Sequence, residues 1–301
     1  MEYTYRLAII TPYFGDWPYW IDLYMHSCVQ NKEIDFYFFT DCGIPETAQG
    51  AANLHFISIS FSDYCLHVGA RLGIDFQPAN PYKLCDLKPF LGYVHEDLLL
   101  EGGYDFWGFG DLDLVWGNIR AFCKDEILLK KDVFSTHADR VSGHFALIRN
   151  TTYYRNLCRS IPNWEMKLMD KTHYALDEMD FSILLYGKII RSFWKVHKVL
   201  LKMPLIDEWR CYSGFVKFAN RLFCPRQLYF VEQHTTPYPN AISKKEVHFV
   251  YDGESLRDMV VDEERMYLHF LCLKKHWSKD CYAVVNGFSK VVFTADGVFS
   301  E

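Results

Sequence analysis

The run Tyr104-Asp105-Phe106-Trp107-Gly108-Phe109-Gly110-Asp111-Leu112-Asp113 decides how this chain is to be read. Its first part is a short apolar, aromatic stretch, as expected of a strand buried on both faces. It runs straight into two aspartates separated by one residue. In extended backbone, residues two apart project to the same side, so the two carboxylates converge where the strand ends. Like charges held that close are costly unless a cation lies between them. Hard divalent ions such as Mg²⁺ or Mn²⁺ accept carboxylate, water and phosphate oxygens together, so such a pair can hold a metal and a diphosphate at once. A solvated turn carrying two acids is the plain alternative, because Asp-x-Asp by itself is common.

Upstream, the pattern is βαβ. Leu7-Ala8-Ile9-Ile10 is a continuous apolar run that ends at Thr11-Pro12-Tyr13-Phe14-Gly15. A helix follows over 20–29, with apolar residues at 20, 21, 24, 25 and 28. Phe36-Tyr37-Phe38-Phe39 predicts a second strand ending at Thr40-Asp41, and Leu54 to Ile59 a third. Strands alternating with helices imply a largely parallel sheet. Ligands in such sheets sit beyond the carboxyl ends of the strands, where Thr11 to Phe14, Asp41 and the Asp-x-Asp pair all fall. Downstream, the pattern predicts a helical segment over 119–129, strands at 133–135 and 144–148, and helices over 152–159 and 179–185.

The segment 188–226 differs in character. Lys188, Arg191, Lys195, Lys198 and Lys202 recur at spacings of 3, 4, 3 and 4, one stripe of an α-helix, with Phe193, Trp194 and aliphatic residues between them. It carries nine Lys/Arg and two Asp/Glu, a local net of +7, within a chain whose formal charge is −6. The rest of the chain therefore stands at −13. A basic amphipathic helix with aromatics reads as a contact for an anionic membrane surface, or else as an ordinary surface helix packed on the domain.

Composition bounds the classes. With 301 residues, half of them apolar and 17% aromatic, the chain is a folded globular protein rather than a disordered one. Its acidic balance disfavours a general nucleic-acid binder, which needs a Lys/Arg excess to neutralise phosphates. The N-terminal Met1-Glu2-Tyr3-Thr4-Tyr5-Arg6 is wrong for a signal peptide, and no stretch approaches the roughly 18 apolar residues of a spanning helix. Ten cysteines lie scattered with no Cys-x-x-Cys pair, which reads as reduced thiols, mostly in the core, in a cytoplasmic protein.

Gly110-Asp111-Leu112-Asp113, with the Thr11-Pro12-Tyr13-Phe14-Gly15 turn, resembles the GT-A class of nucleotide-sugar glycosyltransferases. Within it the chain is most similar to the branch of glycogenin and bacterial lipooligosaccharide galactosyltransferases. It looks closer still to an uncharacterised bacterial family associated with cell-surface polysaccharide synthesis. Four further segments carry the resemblance: Pro81 to Pro89, Gly143 to Arg149, Leu176 to Phe181, and His269 to Trp277.

The resemblance implies an α/β fold of GT-A type, with a mostly parallel central sheet flanked by helices. Residues 1–187 would form the nucleotide-sugar-binding core, 188–226 a basic helical insertion, and 227–301 a C-terminal portion completing the site. It further implies that Asp111, Asp113 and His269 hold Mn²⁺ or Mg²⁺; a neutral imidazole is a suitable third ligand beside two carboxylates. Thr11, Tyr13, Phe14, Asp41, Lys83, Asp86, Asp111, His144 and Lys275 would contact the nucleotide sugar, with Asp41 on ribose or base and Lys83 and Lys275 on phosphate. Tyr13 and Phe14 would lie against the uracil base or else be buried aromatics at a strand end, and solvated helix-start charges are the plain alternative for Lys83 and Asp86. Asp177 and Glu178 would be the catalytic carboxylates. An inverting transferase needs a base for the acceptor proton, and a retaining one a group facing the oxocarbenium-like centre. Glu178 stands where relatives carry Gln, and an acidic helix cap is the plainer account of both residues.

The implied reaction moves a hexose from a UDP-sugar to a glycan or lipid-linked saccharide, with no nucleic-acid partner. The protein would sit in the cytoplasm, peripheral on the inner face of the membrane. A metal-dependent nucleotide-sugar hydrolase and a non-catalytic sugar- or nucleotide-binding scaffold on the same fold are the rivals.

Overall fold

The computed structural model describes residues 3–137, 140–185, 187, 227–229, 235–279 and 290–300. The basic segment 188–226 and the expectation attached to it lie outside the described residues. The strands are β1 (Leu7–Pro12), β2 (Ile34–Thr40), β3 (Leu54–Ser58), β4 (Phe106–Gly110), β5 (Leu114–Trp116), β6 (Val133–Ser135) and β7 (Phe145–Arg149). They continue as β8 (Gln227–Tyr229), β9 (His248–Tyr251), β10 (Leu256–Asp258), β11 (Glu263–Arg265), β12 (Tyr267–His269), β13 (Val291–Thr294) and β14 (Val298–Ser300).

The central sheet has seven strands in the order β3-β2-β1-β4-β7-β6-β8. Six of them run in one direction, and β7 alone is antiparallel to its neighbours β4 and β6. This is the mostly parallel α/β sheet that the alternating pattern predicts. The apolar runs are buried on both faces, as a strand between two helical layers must be. Along β1, Ala8 and Ile10 enter one core with Trp107, Phe109 and, from the helix Phe61–Leu72, Tyr64 and Val68. Leu7 and Ile9 enter the other with Phe36, Phe38, Phe106 and, from the helix Ile21–Gln30, Tyr24 and Met25. Gly108 is required by close approach: a Cβ there would lie 2.3 Å from the carbonyl oxygen of Ala146 on β7.

Three local features differ from the expected elements. The single helix over 119–129 is two short ones, Ile119–Phe122 and Asp125–Leu128, the first capped by the Asn118 side chain accepting from Ala121 N–H at 3.0 Å. Pro81–Phe90 forms an extended 3₁₀ run, started by Asn80 accepting from Tyr82 N–H at 3.1 Å. The expected helix over 179–185 is preceded by one π turn over Asp177–Phe181, closed by Phe181 N–H donating to the Leu176 carbonyl at 2.8 Å. Ala175 enters that turn with φ of +50°, a left-handed conformation unfavourable for any residue with a Cβ.

The C-terminal portion adds two sheets, whose strands are three or four residues long. β12 pairs antiparallel with β5, and β11-β10-β9-β13-β14 make a five-stranded antiparallel sheet. Its inner face packs Phe249, Tyr251, Leu256 and Phe293 against Leu23 and Val115 in a third core. Among the described cysteines, Cys28, Cys65, Cys123 and Cys158 are buried, Cys42, Cys85 and Cys272 are partly exposed, and none forms a disulfide. No helix among the described residues is long and apolar enough to cross a membrane.

Candidate functional site

The site is assembled where β4 ends. Asp111 N–H donates to the His144 carbonyl at 2.9 Å, which ties the aspartate to the start of β7. Two residues on, the Asp113 carbonyl accepts from Phe270 N–H at 3.0 Å, which ties it to the end of β12. Trp20 Nε1 holds the intervening Leu112 carbonyl at 3.0 Å, so the backbone between the two acids is fixed on its third side. The β5–β12 pairing sets Leu114 opposite His269 and so delivers the imidazole to Asp113, 156 residues away in sequence. His269 Nε2 lies 3.6 Å from Asp113 Oδ1. Its Nδ1 lies 3.1 Å from the Thr236 hydroxyl, which leaves Nε2 to face the carboxylate.

Asp111, Asp113 and His269 each place one ligand atom within 4.8 Å of the others. Two carboxylates and one imidazole, with two of the three residues buried, make a donor set suited to a divalent cation of the Mn²⁺ or Mg²⁺ kind. The three residues singled out as metal ligands from sequence therefore do come together.

Two ammonium groups meet the same carboxylates. Lys88 Nζ donates to Asp111 Oδ1 at 2.5 Å and to the Gly143 carbonyl at 2.6 Å. Lys274 Nζ donates to Asp113 Oδ2 at 2.8 Å and stands 5.1 Å over the Trp20 ring. Burial pulls the Lys88 pKa down, but the charges of Asp111, Cys85 and Asp177 outweigh it and leave the ammonium well above its ordinary value. For Asp113, burial acts upward, and the His269 and Lys274 contacts reverse it, holding the carboxyl well below the usual carboxylate range.

Gly143 joins this centre to the acidic segment. A Cβ on Gly143 would lie 3.0 Å from Asp177 Oδ2 and 3.1 Å from Glu178 Oε1, so both carboxyl groups press against that glycine. Asp177 is buried, and its Oδ1 accepts from Glu178 N–H at 2.8 Å. Burial pushes its carboxyl up to about 7, helped by the neighbouring Glu178 and Asp111 and opposed by Lys88. Glu178 is more exposed and lies 3.5 Å from the Arg140 guanidinium.

Other residues singled out from sequence have different surroundings. Lys83 is buried 2.9 Å from Asp86 Oδ2 and also donates to the Lys167 and Thr172 carbonyls at 2.7 and 2.5 Å. With three acceptors on its ammonium it has no donor left for phosphate, which corrects that expectation. Asp86 in turn accepts from Tyr174 and Leu176 N–H, so this pair is a strut that holds the acidic segment in place. The physical reason is the 3₁₀ period of three: Lys83 and Asp86 share one face, while Cys85 and Lys88 share another that looks to the aspartates.

Phe14 is also corrected. It is buried against Phe61 and Tyr64, which closes its ring to a base. Tyr13 is half-buried and stacked on Trp17 at 5.2 Å, with its hydroxyl donating to the Asp16 carbonyl. Asp41 accepts from Gly15 N–H at 2.8 Å and braces the first turn. Thr11 is buried at the end of β1. His144 is buried too, stacked face to face on His269 at 4.1 Å, with Nε2 2.7 Å from the Tyr267 hydroxyl. Burial, then the charge of His269, lowers its pKa well below the usual imidazole value. It stands directly behind the His269 ring. Lys275 is exposed, and its neighbour Lys274 is the residue that reaches the site. Lys88, Lys274 and Tyr267 are the site residues that sequence reasoning passed over; the 3₁₀ period that turns Lys88 to Asp111 has no apolar pattern to mark it in the sequence.

Among solved structures, the chain is similar to the glycosyltransferase GlyE of Streptococcus pneumoniae TIGR4, with 12% identity over 76% of this chain and a TM-score of 0.31. It spans 46% of that protein's length. The galactosyltransferase LgtC is 12% identical over 92% of this chain and 91% of its own, with a TM-score of 0.32. The PaToxG glycosyltransferase is 14% identical over 72% and 84%, with a TM-score of 0.33. No curated protein sequence matches the chain. Residues 9–297, which include every member of the cluster just described, match the model of DUF6625, and the chain belongs to that family of unknown function.

Proposed function

We propose that the protein is a metal-dependent glycosyltransferase that moves a hexose from a UDP-sugar to a hydroxyl of a glycan or lipid-linked saccharide, in the synthesis of a cell-surface polysaccharide. The observation that carries this reading is the convergence of Asp111, Asp113 and His269 at the carboxyl end of β4, beside a buried carboxyl pushed up to about 7. Asp111, Asp113 and His269 would hold Mn²⁺ or Mg²⁺. When bound, the ion supplies charge stabilisation for the diphosphate leaving group. Lys88 keeps Asp111 oriented through its second contact to the Gly143 carbonyl. Asp177 and Glu178 handle the acceptor proton, and a carboxyl poised near 7 is matched to that task at neutral pH. His144, wedged under His269 by Tyr267, keeps the ligand ring from turning. The basic segment 188–226 would lie against an anionic membrane that presents the acceptor; failure to sediment with anionic liposomes at low salt would remove that part of the reading.

The decisive test is a thermal-shift panel of nucleotide sugars with and without Mn²⁺. Stabilisation should require both metal and a uridine nucleotide, reaching roughly 2.7 kcal/mol at a hundredfold excess over Kd. It should vanish in Asp113→Ala. No metal-dependent response to any nucleotide sugar overturns the proposal.

A further inference from the structure

Each carboxylate of the candidate metal centre already holds an ammonium group: Asp111 holds Lys88, and Asp113 holds Lys274. Two negative and two positive charges therefore balance at the centre with no added ion. The two lysines differ in how they are held. Lys88 is largely enclosed and has a second fixed acceptor in the Gly143 carbonyl. Lys274 is more open, with a quarter of its side chain exposed. Its only other described contact at the ammonium is the face of Trp20. It belongs to the short turn Leu273–Lys275, anchored by the buried Leu273 and Trp277 on either side. The turn is thus fixed while the lysine's tip can change partner.

A divalent ion entering between Asp111, Asp113 and His269 would leave the centre at +2, with an ammonium against the ion's own ligand. That repulsion acts in a partly buried, poorly screened place. An incoming ligand that carries at least two negative charges of its own restores the balance. It also offers the displaced ammonium a new acceptor.

We propose that Lys274 makes this centre selective for a divalent cation already paired with a phosphate-bearing ligand, a metal–diphosphate chelate, over the bare ion. The inference rests on the metal-centre reading above and adds that metal and diphosphate bind with positive cooperativity, set by the side chain of one lysine. Lys274 occupies Asp113 Oδ2 in the free protein and releases it when phosphate oxygens arrive. By linkage, metal strengthens nucleotide binding by the same factor as nucleotide strengthens metal binding.

The test is Mn²⁺ binding to the full chain, followed by the loss of the free-ion EPR signal, with and without UDP. Wild-type protein should bind Mn²⁺ weakly alone and much more tightly with UDP. Lys274→Met keeps the stem on Trp20 and removes the charge; it should bind bare Mn²⁺ about tenfold more tightly or better, and the gain from UDP should shrink. Lys279→Met removes the same charge from an exposed neighbour 5.7 Å over the Tyr19 ring and should leave both affinities unchanged. If Lys274→Met binds bare Mn²⁺ no better than wild type while wild type still binds Mn²⁺ with UDP, the inference is wrong and the metal centre stands. If no form binds Mn²⁺ with UDP, the metal-centre reading itself falls, and the inference with it. A circular-dichroism melt of each variant separates misfolding from either outcome.

Discussion

At the scale of single residues, the site depends on which of several like side chains reaches it. Lys83 and Lys88 lie five positions apart on the same 3₁₀ run and have opposite roles. Lys83 is buried against Asp86, so Lys83→Met leaves a buried carboxylate without its cation. Such a loss costs roughly 3–5 kcal/mol, and chemical denaturation should show it directly. An unchanged midpoint would mean that the strut is not structural. Asp177 makes a second prediction. Its carboxyl ionises near 7 in the folded chain against 3.8 ordinarily, so the folded state holds the proton more tightly than the unfolded one. Between those values stability must fall as pH rises, by roughly 4 kcal/mol in all, and above about 7 the dependence from this group ends. Asp177→Asn keeps an oxygen to accept from Glu178 N–H and carries no charge. It should flatten that slope and be the more stable protein at pH 8, as measured by denaturation at pH 5 and pH 8. An identical slope in both proteins would refute the assignment.

At the scale of elements, the acidic segment is held in an uncommon backbone form. The left-handed Ala175 and the π turn after it turn Asp177 inward against Gly143, and the Lys83–Asp86 strut keeps them there. A regular helix through the same residues would carry the carboxyl groups on a different rotation, since one extra residue per turn shifts every side chain that follows. Gly143→Ala tests how tightly this is set. Its Cβ would press on both carboxyl groups at about 3 Å, and overpacking of that kind costs about 1–3 kcal/mol. If Asp177 and Glu178 act on the acceptor as proposed, donor-dependent turnover should fall by more than the stability loss explains, about tenfold or more, because a small misplacement of reacting groups is expensive. Equal turnover in the variant would show that the pair is not positioned by this contact. The central strands were legible from sequence because continuous apolar runs have few other homes. The 3₁₀ run and the π turn were not, since neither has an apolar period that separates it from a short α-helix.

At the scale of the whole molecule, the C-terminal portion belongs to the core as well as to the site. β8 extends the central sheet beside β6, β12 gives β5 its partner, and the five-stranded sheet covers Leu23 and Val115. A chain ended after residue 187 would leave the β5 edge and those apolar side chains exposed. It should fail to give a soluble monomer, which size-exclusion chromatography would decide; a stable monomer with a cooperative melt would show the core to be self-sufficient. Little in the sequence foretells this sheet, because its strands are three or four residues long and β10 and β11 are largely charged.

What the sequence determined by itself is local: buried strands that read as apolar runs, and two aspartates whose spacing alone brings their carboxylates to one side. A resemblance, rather than any spacing, singled out His269, which the fold does bring beside Asp113. What only the tertiary structure decided is which cations meet those acids. Pairing across 161 residues brings Lys274 to Asp113, and a period of three sends Lys88 rather than Lys83 to Asp111. The reason is physical. A lysine's charge acts only where its tip can reach, and that is set by the turn beneath it and the strands that carry the turn, not by its place in the chain.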